Sequence, residues 1–395
     1  MSRGAAAQAG TGGDQADGCP TNPGMSQGAS DTARWRAARR LLAVRLDNLG
    51  DLLMTTPALL AMKHDAPGVH LALLTSPAGA ALAPCLPWVD ETIVDEVPWM
   101  KNGADAGMAD GELGRREARL VERLAHGRFD AAVIFTVCTQ SPLPAALVCR
   151  MAGIPLRLAH CRENPYGLLS HWVADHERVQ DGMRHEVERQ LALVRTVGWT
   201  IDDARLRLQT TAEHGARAGH RLHDAGADPA RPYFVVHPGA SAASRRYPAE
   251  RFGAAADTIA RQSGCMAVFT GDTGEAALIG EARAAMRQPS VSLAGQLGVG
   301  ELAALIGGAR LLLANNTGPA HIAAAMGTPV VALYALTNPQ HTPWRVPSRV
   351  LNHDVPCRNC LKSVCPQGHH DCLRKVEPTA VAAASLGLLG EGARA

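Results

Sequence analysis

Residues 41–76 read LLAVRLDNLGDLLMTTPALLAMKHDAPGVHLALLTS. LLAVRL (41–46) is a short apolar run, as expected for a strand buried in a parallel sheet. DNLGD (47–51) is a turn. LLMTTPALLAMKHD then has helical spacing, with Leu52, Leu53, Thr56, Leu59 and Leu60 on one face. APG at 66–68 stops that helix, and HLALLTS (70–76) is the next strand. Strand, turn, helix, strand is a βαβ unit, whose crossover makes the two strands parallel.

The same alternation runs outward from this stretch. ETIVDEV (91–97), FDAAVIFTV (129–137) and LRLAH (156–160) read as strands. GELGRREARLVERLAHG (111–127), LPAALVCRMAG (143–153) and RHEVERQLALVRTVGW (184–199) read as helices. A second array opens after DPARP (228–232). Its strands are YFVVH, MAVFTG, VSLAG, LLLAN and VVALYAL, separated by helices over 249–264, 274–286, 299–309 and 319–327. The chain is therefore expected to be α/β, with two Rossmann-like doubly wound domains at 37–215 and 216–395, joined around 200–230. No short-period internal repeat is visible.

Composition bounds the function. A net charge of +2 over 395 residues gives no electrostatic footprint for nucleic acid. The first 36 residues, rich in Gly, Ala, Ser and Gln, lack the order of a secretory signal and read as a disordered tail. No apolar run reaches the length of a membrane span. With ten cysteines, six of them scattered, a reducing compartment is the simplest setting, so the expectation is a cytoplasmic protein, at most peripheral to a membrane.

Three loops at the carboxyl ends of strands carry candidate chemistry, because ligands of open α/β sheets bind there. The first holds Asp47, Asn48, Gly50 and Asp51. Gly50 allows close backbone approach. Asp51, at the start of a helix, reads either as a cap or as a catalytic carboxylate. The second, His237 to Pro248, combines Gly239, Ser241 and other small residues with Arg245 and Arg246; it reads as a diphosphate cradle or as a solvated basic loop. The third is Asn315-Asn316-Thr317-Gly318-Pro319-Ala320-His321. Thr317 is placed to cap the helix that begins near Pro319, whose free N–H groups form an anion site.

Missing motifs narrow the class further. The first strand is not followed by G-x-G-x-x-G, which argues against a nicotinamide dehydrogenase, and no G-x-x-x-x-G-K-[ST] loop occurs. No D-x-D triplet is present to hold a metal-bound nucleotide sugar. A sugar transferase built on this chain would stabilise its leaving diphosphate with arginines and helix ends. A cysteine-rich loop at 357–372 holds Cys357, Cys360, Cys365 and Cys372, spaced C-x2-C-x4-C-x6-C with two histidines inside. Structural zinc, disulfides or a reduced loop all fit that spacing.

LLAVRLDNLGDLLMTTPAL (41–59), VVHPGASAASRRYPAERF (235–252), ANNTGPAHIAAAMGTPVVALY (314–334) and the cysteine loop together resemble glycosyltransferase family nine, which contains the bacterial lipopolysaccharide heptosyltransferases. The resemblance spans roughly residues 40–380. It implies a GT-B fold, two Rossmann-like domains facing across a cleft, with a lipid-linked glycan acceptor mainly on the first and a nucleotide-diphosphate sugar on the second. It also implies an inverting, metal-independent transfer from ADP-L-glycero-β-D-manno-heptose, with no cofactor required. Carried over by motif, Asp51 matches the general base, Arg245 a lysine on the donor diphosphate, and Glu275 a glutamate on the donor nucleoside. Asn316, Thr317, Gly318 and His321 match a D-T-G-x-x-H motif. Arg245 in place of lysine and Asn316 in place of aspartate are departures from the family pattern. A nucleotide-sugar epimerase of the same architecture and a non-catalytic sugar-nucleotide-binding partner are the alternatives.

Overall fold

The computed structural model describes residues 29–65, 68–100, 114–178 and 183–392. The expected start of the second helix at 111–113 lies outside these residues, as does most of the turn expected to end the first.

The first sheet is built from β1 (Arg40–Arg45), β2 (His70–Thr75), β3 (Glu91–Val94), β4 (Ala131–Ile134), β5 (Leu156–Cys161) and β6 (His171–Ala174). These pair in parallel in the order β3-β2-β1-β4-β5-β6. Its helices are α1 (Ala29–Ala37), α2 (Leu49–His64), α3 (Pro77–Ala80), α4 (Arg115–His126), α5 (Leu143–Met151) and α6 (Glu186–Arg195). The second sheet follows helix α7 (Ala212–Asp224) and contains β7 (Tyr233–His237), β8 (Met266–Phe269), β9 (Ser290–Ser292), β10 (Leu312–Asn315), β11 (Val330–Leu333) and β12 (Ser348–Leu351). Its order, β12-β11-β10-β7-β8-β9, repeats that of the first sheet. Helices α8 (Ala249–Ser263), α9 (Ala276–Ala284), α10 (Val299–Gly308), α11 (Gly318–Met326), α12 (Asp371–Arg374) and α13 (Pro378–Gly392) accompany it.

Both sheets thus have Rossmann order, which reverses between β1 and β4 in one and between β7 and β10 in the other. A crevice opens at each reversal, beyond the carboxyl ends of the strands. The strand cores are apolar on both faces: Leu41, Leu42, Ala43 and Val44 of β1 and Leu312, Leu313 and Ala314 of β10 are buried. Among the described residues no helix is long and apolar enough to cross a membrane.

Three expectations shift. The tail expected to be disordered over residues 1–36 does not reach residue 36, because Ala29–Ala37 is helical; residues 1–28 lie outside the described residues. Trp35 of α1 is 0% exposed and packs edge-on against Trp199 at 5.5 Å and His171 at 5.3 Å. A single large apolar residue in a polar segment carries no periodic signal, and its partners lie far along the chain. The boundary at 215/216 falls inside α7, which packs as a unit against α10 of the second sheet. Edge strands β6 and β12 were not foreseen; HWVA and SRVL are too short and too polar to stand out.

Candidate active site

The site begins with a charged residue in an apolar strand. Arg45 ends β1, is 0% exposed, and stands among three carboxylates. Its Nε lies 3.0 Å from Asp47 Oδ2, and its Nη2 lies 2.9 Å from Glu186 Oε1 and 3.6 Å from Asp51 Oδ1. Glu186, at the start of α6, also accepts a bond from Gln190 Nε2 at 2.7 Å. One cation cannot neutralise three buried anions. Burial opposes ionisation of Glu186, yet Arg45, His341 and Arg189 hold its carboxyl below the usual range. Burial, together with the neighbouring Asp51 and Glu186 charges, pushes Asp47 up to about 6 despite Arg45. Asp51 is also raised, first by burial and then by Glu186. The aspartates, not Glu186, therefore take up the first protons.

Asp51 realises both readings offered by its sequence position. One oxygen accepts the Asn48 N–H at 3.3 Å and closes the first turn of α2. The other faces Arg45 at 3.6 Å, and the side chain keeps 14% exposure toward the cleft. A carboxylate with a raised pKa, fixed by a helix terminus and open on one side, is suited to accepting a proton.

Across the cleft, Asn315 at the end of β10 ties the second and third loops together. Its Nδ2 donates to the Pro238 carbonyl at 2.7 Å, and its Oδ1 accepts the Tyr247 N–H at 3.0 Å. The two arginines of the second loop diverge. Arg246 folds back onto the Ala240 carbonyl at 2.8 Å. The Arg245 guanidinium has no hydrogen-bond or ion-pair partner among the described residues, and its charge acts on Asp51, His321 and His341. The cysteine loop fixes the residue before it: Ser244 donates its N–H to the Ser363 carbonyl at 3.0 Å and its hydroxyl to the Lys362 carbonyl at 2.7 Å.

Thr317 stands at the N-cap of α11, but its side chain makes no capping bond, contrary to the sequence expectation. Its backbone is extended, φ −153° and ψ 172°; of the next three residues, Pro319 has no N–H and the Ala320 N–H donates to the Thr317 carbonyl at 3.0 Å, which leaves the Gly318 N–H at the helix start. Asn316 is 3% exposed and its Nδ2 meets no acceptor. His321 is 4% exposed, its Nδ1 is unpartnered, and burial pushes its pKa down to about 3.

Glu275 lies at the end of a short turn after β8. Its Oε2 accepts the Asp272 N–H at 3.0 Å and lies 3.8 Å from His237 Nε2, and burial raises its pKa. Gly239 makes room for this carboxylate, since a Cβ there would lie 1.9 Å from Oε1. Ser241, by contrast, is exposed and without a partner among the described residues.

The two halves meet at the starts of α2 and α11. A Cβ on Gly50 would lie 2.9 Å from His321 Cδ2, and one on Gly318 would lie 3.2 Å from Leu49 Cδ2. The structure therefore brings Asp47, Asn48, Gly50 and Asp51 opposite Arg245, Asn316, Thr317, Gly318 and His321. A strap after β11 holds this closure. The Gln340 carbonyl accepts the Glu186 N–H at 3.1 Å, Gln340 Nε2 donates to the Arg184 carbonyl at 3.1 Å, and Trp344 stacks on His185 at 4.3 Å. Arg45, Glu186, Gln340 and His341 were not singled out from sequence. Only Arg45 carried a signal, as the lone charge in an apolar strand, which demands a buried counterion.

The cysteine loop does not assemble a metal site. Cys357 Sγ lies 3.7 Å from His369 Nε2, but among the described residues no group of three or more His, Cys, Asp or Glu is placed to hold a metal ion. The nine described cysteines are all free thiols.

Two Rossmann sheets facing across a cleft, with a carboxylate of raised pKa on one side and a helix N-terminus on the other, fit the GT-B class of glycosyl-transfer enzymes. The family model for glycosyltransferase family 9 (heptosyltransferase) matches residues 117–370, and the chain belongs to that family. Lipopolysaccharide heptosyltransferase 1 of Pseudomonas aeruginosa is 27% identical over 334 residues, covering 82% of this chain and 87% of that protein. Among solved structures, a family 9 glycosyl transferase from Veillonella parvula superposes with a TM-score of 0.73 at 23% identity, covering 89% of this chain and 98% of the other. The E. coli ADP-heptose lps heptosyltransferase II gives 0.69 at 22% identity, covering 90% and 99%. These likenesses bear out the GT-B fold.

Proposed function

We propose that this enzyme moves a heptose from ADP-L-glycero-β-D-manno-heptose to a lipopolysaccharide core or related lipid-linked glycan, by direct displacement with inversion and without a catalytic metal. The observation that carries this reading is the opposition of Asp51 to the N-terminus of α11 across the Gly50–His321 contact. Asp51 takes the proton of an acceptor hydroxyl as its oxygen attacks the anomeric carbon. The nucleoside diphosphate leaves on the opposite face, where Arg245, the Thr317 hydroxyl and the Gly318 N–H at the positive end of α11 stabilise its charge. Glu275 and Ser241 serve the nucleoside side of the donor site, and Asn316 and Gly318 its sugar side. The relatives' names support the choice of heptose and of a lipopolysaccharide acceptor. A substrate of that kind places the enzyme in the cytoplasm, at the inner face of the membrane.

A donor screen tests the proposal. ADP-heptose is compared with other nucleotide sugars, in the presence of membrane extract, by the nucleotide released. ADP-heptose is expected to be preferred, and equal turnover of another sugar would overturn the donor assignment. Asp51→Ala is expected to abolish turnover while donor binding persists; retained turnover would remove Asp51 from the role of base. Donor conversion without any acceptor, followed by NMR, would instead indicate an epimerase.

A further inference from the structure

Gln340, in the strap after β11, is 0% exposed, and its polar groups are bonded on both sides of the cleft. Three of these bonds cross to the first half. Its Nε2 donates to the Arg184 carbonyl at 3.1 Å, its Oε1 accepts the Cys138 thiol at 3.2 Å, and its carbonyl accepts the Glu186 N–H at 3.1 Å. On its own side, its N–H donates to Asn338 Oδ1 at 2.8 Å. The Asn338 carbonyl accepts the hydroxyl of Tyr334, and the carbonyl of the preceding Leu333 accepts the Asn316 N–H at 3.2 Å. The strap is thus tied to the donor-side loop. The side-chain amide of Gln340 finds its partners only while the two halves are docked, and leaving a buried amide unpaired is costly.

The far ends of these bonds lead to Asp51. Arg184 and Glu186 flank His185 at the start of α6, so Gln340 grips the chain on both sides of that residue. The Glu186 side chain is fully buried and lies 2.9 Å from Arg45 Nη2, and the same nitrogen lies 3.6 Å from Asp51 Oδ1. One guanidinium nitrogen is shared by two carboxylates. The place of Glu186 therefore sets where Arg45 stands and how much of its charge Asp51 receives.

We propose that Gln340 is a positioning residue for the transfer reaction: it seats Glu186 in the docked enzyme, and Glu186, through Arg45, fixes the orientation of Asp51. The inference rests on the reading of Asp51 as the base and adds what arms it. Closure of the donor-bearing half completes the site by locking the strap onto α6. The charged and titratable groups facing Asp51 and Glu186 are Arg45 and Asp47 from β1 and its loop, Cys138 after β4, His185 and Arg189 at α6, His341 in the strap, and Arg245 from the second half. Among these, Arg45 is within ion-pair distance of both carboxylates. The negative charge of Glu186 opposes ionisation of Asp51. Releasing Glu186, or removing its charge, gives Asp51 a larger share of Arg45 and moves its titration to lower pH.

The test uses full-length protein, ADP-heptose and membrane extract as the source of acceptor. Gln340→Met fills the same space without the side-chain bonds to Arg184 and Cys138. It is expected to lower turnover at saturating donor about tenfold or more, with the Kd for ADP-heptose unchanged. The acid limb of its pH profile is expected to move down by on the order of one pH unit. Glu186→Gln keeps shape and removes the charge; it is expected to move the limb in the same direction, and it carries the test if Gln340→Met does not fold. The double variant is expected to lose little beyond the larger single loss, because both changes act through Arg45. Independent, additive losses would overturn the proposal. A carbon-13 carboxyl titration of Asp51, assigned with Asp51→Asn, reads the same shift by NMR without substrate. Lower turnover with an unmoved Asp51 titration in both variants is the mark of general loosening and would also overturn it. The reading of Asp51 as base fails separately. Turnover retained in Asp51→Ala, with the Asp51 titration shifted in both variants, keeps the Gln340–Glu186–Arg45 link and removes the base.

Discussion

Gly50, at the start of α2, and His321, one turn into α11, touch across the cleft: a Cβ on Gly50 would stand 2.9 Å from His321 Cδ2. The absent side chain lets the helix that carries Asp51, the proposed base, approach the helix at the proposed donor site. His321 is buried and unionised in this contact, so no charge repels the opposing helix end.

Gly50→Ala is therefore expected to hold the two helices apart by a few tenths of an ångström. Small misplacements of reacting groups can cost up to about a hundredfold in rate. A fall in kcat of roughly tenfold or more is expected. An unchanged kcat would show that the contact does not define the reactive distance.

The pH profile reports on the carboxylate cluster. As the proposed base, Asp51 must be ionised to act, and its pKa is raised by burial and by Glu186. The acid limb of kcat/KM should thus lie above the ordinary carboxylate range. Arg245 works in the opposite sense, favouring the ionised form from the other domain. Arg245→Gln should move this limb to higher pH, in addition to weakening donor binding. A limb at the same pH in both proteins would break the link between Arg245 and Asp51.

Asp47 makes stability depend on pH with a definite sign. Its folded pKa of about 6 exceeds the ordinary 3.8, so the folded state binds more protons between those values. That contribution is fully present below the lower value and is lost as pH rises through the upper one. Asp47→Asn, which cannot ionise, should gain on the wild type by on the order of 2–3 kcal/mol as pH increases from about 4 to 7. Urea unfolding at several pH values measures the difference, and a difference that stays flat would contradict the raised pKa.

Trp35 anchors α1 on Trp199 and His171. Trp35→Ala should cost about 3–5 kcal/mol, as expected for removing a buried aromatic side chain. Chemical denaturation measures it; a loss below about 1 kcal/mol would mean that α1 does not belong to the folded domain.

Much of the fold is legible in the chain because parallel strands are buried on both faces. LLAVRL, FVVH and LLLAN read as apolar runs, and each ends in a loop rich in polar or small residues. The donor-side loops are legible for the same reason, since strand ends and helix starts are local features. Thr317 shows the limit of that approach: its position as N-cap was readable, but its side chain does not make the expected bond. Trp35 shows another, because one tryptophan in a polar segment finds partners that no local period announces. Glu186 and Gln340 were silent for a related reason. A carboxylate within an amphipathic helix and a glutamine in a polar turn look solvated until the tertiary fold buries them.

The sequence by itself determined two βα arrays, the strand ends where chemistry concentrates, and the family to which they belong. These are short-range properties, set by alternating apolar runs, turn residues and motif spacing. Only the tertiary structure decided that the Asp51 loop and the His321 helix meet, and that Arg45 binds three carboxylates at once. Such relations join residues up to 271 positions apart, as for Gly50 and His321. They depend on how the two sheets and their helices pack together, since one buried apolar cluster runs through both halves and burial raises the pKa of Asp47 and Asp51 and lowers that of His321.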